Sequence, residues 1–227
     1  MPSPSRRIVD LSHPLDEKIP MFPGLPVPQV AEQLSREASR AHYSGDTTFL
    51  IHRYTLAGNS GTYMDAPFHR YASGLDLAAV PLERTVDLPG VVVDARDRVA
   101  HGEHALGPET LPRIDLGGAA ILYLTGWEDR WCRSDYLDGN PFLTGDVAAL
   151  LVERGVALVG IDSWNVDDTQ DGRRPVHSIL LGAGIPIVEN LCGLRQLCGH
   201  GFRFSAAALP IRGGSAVPVR AHAVVLE

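Results

Sequence analysis

Residues 119–125, Ala-Ala-Ile-Leu-Tyr-Leu-Thr, are apolar almost throughout, and no other stretch limits the fold so tightly. A strand with one wet face alternates apolar and polar residues; a continuous apolar run must be covered on both faces. Residues 144–154 then carry helical periodicity. Val147, Ala148, Leu150 and Leu151 form one stripe, Thr144 suits an N-cap and Gly155 a stop. Residues 156–161 are again apolar. Strand, helix and strand in this order predict a right-handed crossover in a parallel part of a sheet. The fold class is therefore α/β, with a mixed β-sheet core flanked by helices.

Other elements are shorter. Strands are expected at 8–11, 47–56, 90–94, 185–191, 202–207 and 217–225, and a helix at 175–182 that Gly184 ends. The 47–56 strand has apolar residues on both faces, which predicts that it is largely covered. Residues 30–41 read as a short helix or a loose arm around a neighbouring subunit.

At 227 residues, one domain spanning 1–227 is expected, with 1–7 as a flexible tail. The hydrophobic fraction of 44% supports a substantial core. A net charge of −7 argues against nonspecific nucleic-acid binding. No apolar run approaches the roughly 20 residues that span a bilayer. The basic pair Arg6-Arg7 lacks the apolar stretch of a secretory signal. Cys132, Cys192 and Cys198 cannot all pair within one chain and fit no zinc-ribbon spacing. They are expected to be reduced, packing thiols in a cytoplasmic protein.

The densest chemistry lies in Asn59-Ser-Gly-Thr-Tyr-Met-Asp-Ala-Pro-Phe-His69. Pro67 holds Ala66 extended, so Asp65 and His69 are placed on a stiff loop. An Asp and a His so spaced can share a metal ion, act as acid and base, or simply cap a turn and face solvent. Downstream, His177 starts a helix and Glu189 sits among Ile187, Val188 and Leu191. A buried glutamate needs a partner: a metal, a histidine or backbone amides. Asp162, at a strand's end, is expected to support the site through hydrogen bonds. Asp167, Asp168 and Asp171 read as a solvated acidic loop, since their spacing fits no calcium loop.

The 59–69 stretch resembles the signature of the cyclase family, which includes kynurenine formamidases and isatin hydrolases. The matches are Gly61, Thr62, Asp65, Ala66, Pro67 and His69. Asp10-Leu-Ser-His-Pro-Leu15, Pro20-Met-Phe-Pro-Gly24, Thr125-Gly-Trp127 and the segment from His177 to Glu189 extend the likeness along nearly the whole chain. It implies the family's swivelling β/α/β-like fold and a homodimer or homotetramer. It also implies a hydrolase that attacks an amide, formamide or lactone of a small aromatic compound through a metal-activated water.

Two family ligand positions depart from the pattern: Asn59 and Tyr63 stand where histidines are expected. One metal position thus loses two donors. The other keeps Asp65, His177 and Glu189, a credible set for one zinc or manganese ion. On this reading His69 is the general base and Tyr63 a hydrogen-bond donor to a developing oxyanion. Phe22, Asn59 and Trp127 are expected at the substrate. For Phe22 and Trp127, loop anchoring is the alternative. Two other readings stay open: a metal-free acid–base enzyme (isomerase, dehydratase or cyclase), and a non-catalytic relative that binds a small molecule.

Overall fold

The apolar run at 119–125 sits in the middle of a curled sheet. The computed structural model describes residues 6–226. Along the chain its strands are β1 (Arg6–Asp10), β2 (Gln29–Leu34), β3 (Ile51–Thr55), β4 (Tyr63–Asp65), β5 (Leu88–Asp94), β6 (Ala105–Leu106) and β7 (Ala120–Leu124). They continue as β8 (Phe142–Leu143), β9 (Leu158–Ile161), β10 (Ile187–Glu189), β11 (Phe202–Ser205), β12 (Ala216–Pro218) and β13 (His222–Leu226). The helices are α1 (Arg36–Ser39), α2 (Arg96–Ala100), α3 (Gly145–Glu153) and α4 (Pro175–Gly182).

Nine strands form one sheet in the order β1-β13-β11-β5-β7-β9-β10-β4-β12. The pairs among β5, β7, β9 and β10 are parallel, and the outer pairs are antiparallel. Every residue of β7 is buried. Its side chains alternate between two cores. Ala120, Leu122 and Leu124 enter one cluster, Ile121 and Tyr123 the other. Val9 of β1 and Val217 of β12, from opposite ends of the sheet, both join the first cluster, so the sheet curls around it. The second cluster lies under α3 and α4, which pack on each other. Burying each such Leu or Ile contributes roughly 1.5–3 kcal/mol.

α3 starts as its sequence suggests: Thr144 Oγ1 accepts a 3.4 Å hydrogen bond from the Val147 amide, and Gly155 leaves the helix at φ 66°. In β9, Gly160 is required by packing. A Cβ there would lie 2.6 Å from Leu191 Cδ1 and 2.9 Å from Leu122 Cδ2.

Several expectations need correction. Arg6 and Arg7 belong to β1, paired with β13, whereas 1–5 lie outside the described residues. Residues 29–34 form a strand, so the helix expected at 30–41 shrinks to the four residues of α1. β3 is shorter than the predicted 47–56 and pairs only with β2, outside the main sheet. Among the described residues its two apolar faces find little cover, and Val30, Ile51 and Tyr54 are exposed. Cys132 is exposed rather than packed, and the three cysteines are free. No helix among the described residues is long and apolar enough to cross a membrane.

Candidate active and metal site

Strand alternation brings the site together. Val188 of β10 and Met64 of β4 enter the cluster that the sheet encloses. Their neighbours must face the other way, toward α4: Glu189 from β10, Tyr63 and Asp65 from β4. The antiparallel register sets Tyr63 opposite Glu189 and Asp65 opposite Ile187. His177 is in the first turn of α4, on the side it buries with Val176, Leu180 and Leu181. Asp65, expected on a loop, is thus the last residue of a short buried strand, and the turn at Pro67–His69 follows it.

Around the resulting point, His177 Nε2 lies 3.6 Å from Asp65 Oδ2 and 3.7 Å from Glu189 Oε1. Asp65 and Glu189 are fully buried, and His177 nearly so. His69 Nδ1 is 3.7 Å from Asp65 Oδ1, with its ring partly exposed at the cavity. Asn59 Nδ2 donates to Asp65 Oδ1 at 3.3 Å. The Tyr63 hydroxyl donates to Glu189 Oε2, and the Val166 amide donates to Glu189 Oε1 at 2.7 Å.

These contacts set the electrostatics. Burial, together with the Glu189 and Asp65 charges, holds the Tyr63 phenol well above its usual pKa. Tyr63 is therefore a donor and not a base. Burial also pushes the Glu189 carboxyl upward. For His177 burial opposes the charged form, but Asp167, Asp65 and Glu189 outweigh it and raise the imidazole to about 10. Buried carboxylates in such a cluster require cations or protons.

A single divalent ion fits this set. Asp65 Oδ2 is buried and has no hydrogen-bond partner among the described residues. One ligand atom from each of Asp65, His177 and Glu189 lies within 4.8 Å of the others. Donors at about 2.0–2.2 Å from a tetrahedral zinc stand about 3.3–3.6 Å apart, close to the observed separations. The other metal position implied by the resemblance does not fit. Asn59 turns its amide toward Asp65, and the Tyr63 hydroxyl is committed to Glu189.

Asp167 was expected in a solvated loop, yet it is fully buried beside this cluster. Its carboxylate accepts from the Val176 amide at 2.7 Å and from the His177 amide at 3.0 Å. The same carboxylate holds His177 Nδ1 at 2.7 Å. With Nδ1 engaged, Nε2 is left to face Asp65 and Glu189, the arrangement typical of a metal-binding histidine. Asn190 was also missed. It follows Glu189 at φ 55°, accepts from the Tyr136 hydroxyl at 2.7 Å and donates to Gly61 O at 2.7 Å. It thereby ties β10 to the Asn59–His69 segment.

A cavity of about 290 Å³ opens over the cluster, and Asn59, Tyr63, His69 and His177 reach it. Phe22, Tyr136 and Trp164 supply aromatic walls, the Phe22 and Trp164 rings lying 5.9 Å apart. Trp127 does not line it, which corrects its assignment to substrate binding. Its indole Nε1 donates to Tyr136 O at 2.9 Å, so Trp127 lies behind Tyr136 as an anchor. Trp164 takes the wall position instead, with a buried indole Nε1 that has no partner. Asp162 supports this region at one remove. It accepts from Thr125 N and Oγ1 and from Gly126 N, fixing the loop that carries Trp127.

A family model described as "Putative cyclase" matches residues 9–168. The chain is 29% identical over 217 residues to a kynurenine formamidase of Geobacillus thermodenitrificans, covering 94% of this chain and 95% of that one. Its fold is similar to isatin hydrolase A from Labrenzia aggregata, with a TM-score of 0.84 and 27% identity over 98% of this chain and 94% of that one. Isatin hydrolase A from Ralstonia solanacearum gives a TM-score of 0.81 and 26% identity, covering 97% of this chain and 92% of that one.

Proposed function

Because the chain belongs to the cyclase family, we propose that it is a hydrolase cleaving an amide or formamide of a small aromatic compound, with one divalent ion, zinc or manganese. The observation that carries this is the buried Asp65, His177 and Glu189 cluster with its unpartnered Asp65 Oδ2, set beneath an aromatic-walled cavity. Relatives named kynurenine formamidase and isatin hydrolase support the choice of bond and ring.

A divalent cation held there would supply Lewis acidity, bringing the pKa of a coordinated water to about 7. The chain's own residues do the rest. His69, half in the cavity and beside Asp65, takes the proton from the attacking water and returns it to the leaving nitrogen. Tyr63, kept protonated by its buried surroundings, gives its single hydroxyl proton to Glu189 Oε2 and so orients that carboxylate, in place of the oxyanion role expected from the sequence. Asp167 holds the His177 ring in place. Phe22, Tyr136 and Trp164 clasp the ring of the substrate and exclude water from the reacting face.

Turnover of formanilide and N-formylkynurenine by chelator-stripped and by zinc- or manganese-reloaded protein tests the reading. Activity should vanish on stripping and return with metal. Equal activity in metal-free protein would favour an acid–base enzyme instead, a reading that the Tyr63–Glu189 and Asn59–Asp65 hydrogen bonds support.

The same proposal places the protein in the cytoplasm, which its free cysteines suit, and in a homodimer or homotetramer. An isolated two-stranded hairpin is marginal in water. The exposed apolar side chains of β2 and β3 support a subunit contact on that arm.

A further inference from the structure

Two arginines face the same cavity as the acidic cluster, and nothing in the hydrolytic reading uses them: Arg70, next to His69, and Arg174, three residues before His177. Neither has a carboxylate partner among the described residues, whereas the adjacent Arg173 is bridged to Asp171. Arg70 Nε donates to the neutral Ser178 Oγ at 3.1 Å. Arg174 Nη1 reaches only Asn165 Oδ1 at 3.4 Å and Asp168 O at 3.3 Å. A guanidinium has five N–H donors, so most of theirs remain free. Arg174 also holds φ at 50°, in the left-handed region that non-glycine residues rarely adopt. Such a conformation persists where the surroundings enforce it, often at a ligand clamp.

The cavity is polarised as a result. Arg70 and Arg174 put two guanidinium groups on its lining, which attract an anion, while Asp65 and Glu189 are fully buried and do not line it. The two guanidinium groups favour a substrate carboxylate at their end of the cavity, with the rest of the molecule directed toward His69 and His177. Phe22 and Trp164 lie along the same wall and suit an aryl ring between the two ends.

We propose that Arg70 and Arg174 together hold a carboxylate on the aromatic substrate and so select anionic over neutral aryl compounds. The inference deepens the hydrolase reading, since the cavity is the same one, but it is tested by binding and not by turnover. The probes are anthranilate and its neutral isostere anthranilamide, titrated calorimetrically into the full-length protein as purified. Anthranilate should bind the more tightly. Arg70→Met and Arg174→Met should each weaken anthranilate by about tenfold, the value of one charge-assisted contact, and leave anthranilamide unchanged. Arg174→Lys, which keeps the charge but not the fork, should fall between parent and Arg174→Met. Arg70 is exposed, and its side chain touches α4 through one hydrogen bond to Ser178 Oγ, so Arg70→Met answers the question even where an Arg174 variant folds poorly.

Equal affinity for the two probes would overturn the proposal. So would a preference for anthranilate that survives both substitutions, which would place the carboxylate on a metal ion. An arginine-dependent preference in a protein that cleaves no formamide would sustain the clamp while removing the hydrolase.

Discussion

Asp167→Asn isolates the orientation of His177 from the ligands themselves. In the native chain one carboxylate oxygen accepts from the Val176 amide, and the other accepts from both the amide and the ring of His177. An asparagine has one acceptor oxygen. Wherever it points, its NH2 group opposes at least one buried donor at the start of α4. An unsatisfied buried donor costs about 1–3 kcal/mol, and the lost charge on the remaining bonds adds about 1 kcal/mol. At this chain length about 2–4 kcal/mol corresponds to a drop in Tm of roughly 4–16 °C. The second effect is on the metal. Without a fixed acceptor at Nδ1, the ring no longer keeps Nε2 turned toward Asp65 and Glu189. Loss of such a support weakens metal affinity about 10–100-fold. Differential scanning calorimetry gives the first quantity and competition with a chromophoric zinc chelator the second. A variant that binds zinc as tightly as the parent would refute the orienting role, and an unchanged Tm would refute the hydrogen-bond accounting.

Tyr63→Phe removes the donor that orients Glu189, so zinc affinity should fall about 10–100-fold, and unchanged affinity would show that the phenol does not support the site. Asp162→Asn leaves one of the three donors at Thr125 and Gly126 unmatched, so urea melts should show a loss of about 1–3 kcal/mol, and none would mean that this loop is held otherwise. His13 stacks on Trp131 with ring centroids 3.9 Å apart, and burial lowers its pKa from 6.5 to about 4. Above pH 6.5 the ring is neutral folded or unfolded; as pH falls from 6.5 to about 4 only the unfolded chain gains the proton, so stability declines. The decline should reach about 2–3 kcal/mol and be absent in His13→Phe, and identical slopes for both proteins between pH 7 and pH 4.5 would contradict it.

The sheet centre was legible because its signal is local. Ile121, Leu122 and Tyr123 are apolar in succession, and Thr144 and Gly155 mark the ends of α3. The pair of β2 and β3 was misread because apolar residues on both faces normally mean cover, and among the described residues no element supplies it. Asp65, His177 and Glu189 were readable through an apolar strand that holds a glutamate and through family likeness. Their convergence depends on the register of β4 against β10, which local sequence does not encode. Asp167 was lost in an acidic run, since Asp168 and Asp171 beside it do behave as surface residues. The available signal was its place just upstream of Pro175 and His177, where a helix start offers free amides to a carboxylate. Trp127 and Trp164 are indistinguishable by type, and only packing behind Tyr136 assigned the wall to Trp164.

Metal content is the decisive quantity. Protein stripped with chelator, reloaded with zinc or manganese, desalted and measured by plasma mass spectrometry should carry one ion per chain, and His177→Ala should carry none. Two ions per chain in the parent, or one retained in His177→Ala, would contradict a single site built from Asp65, His177 and Glu189.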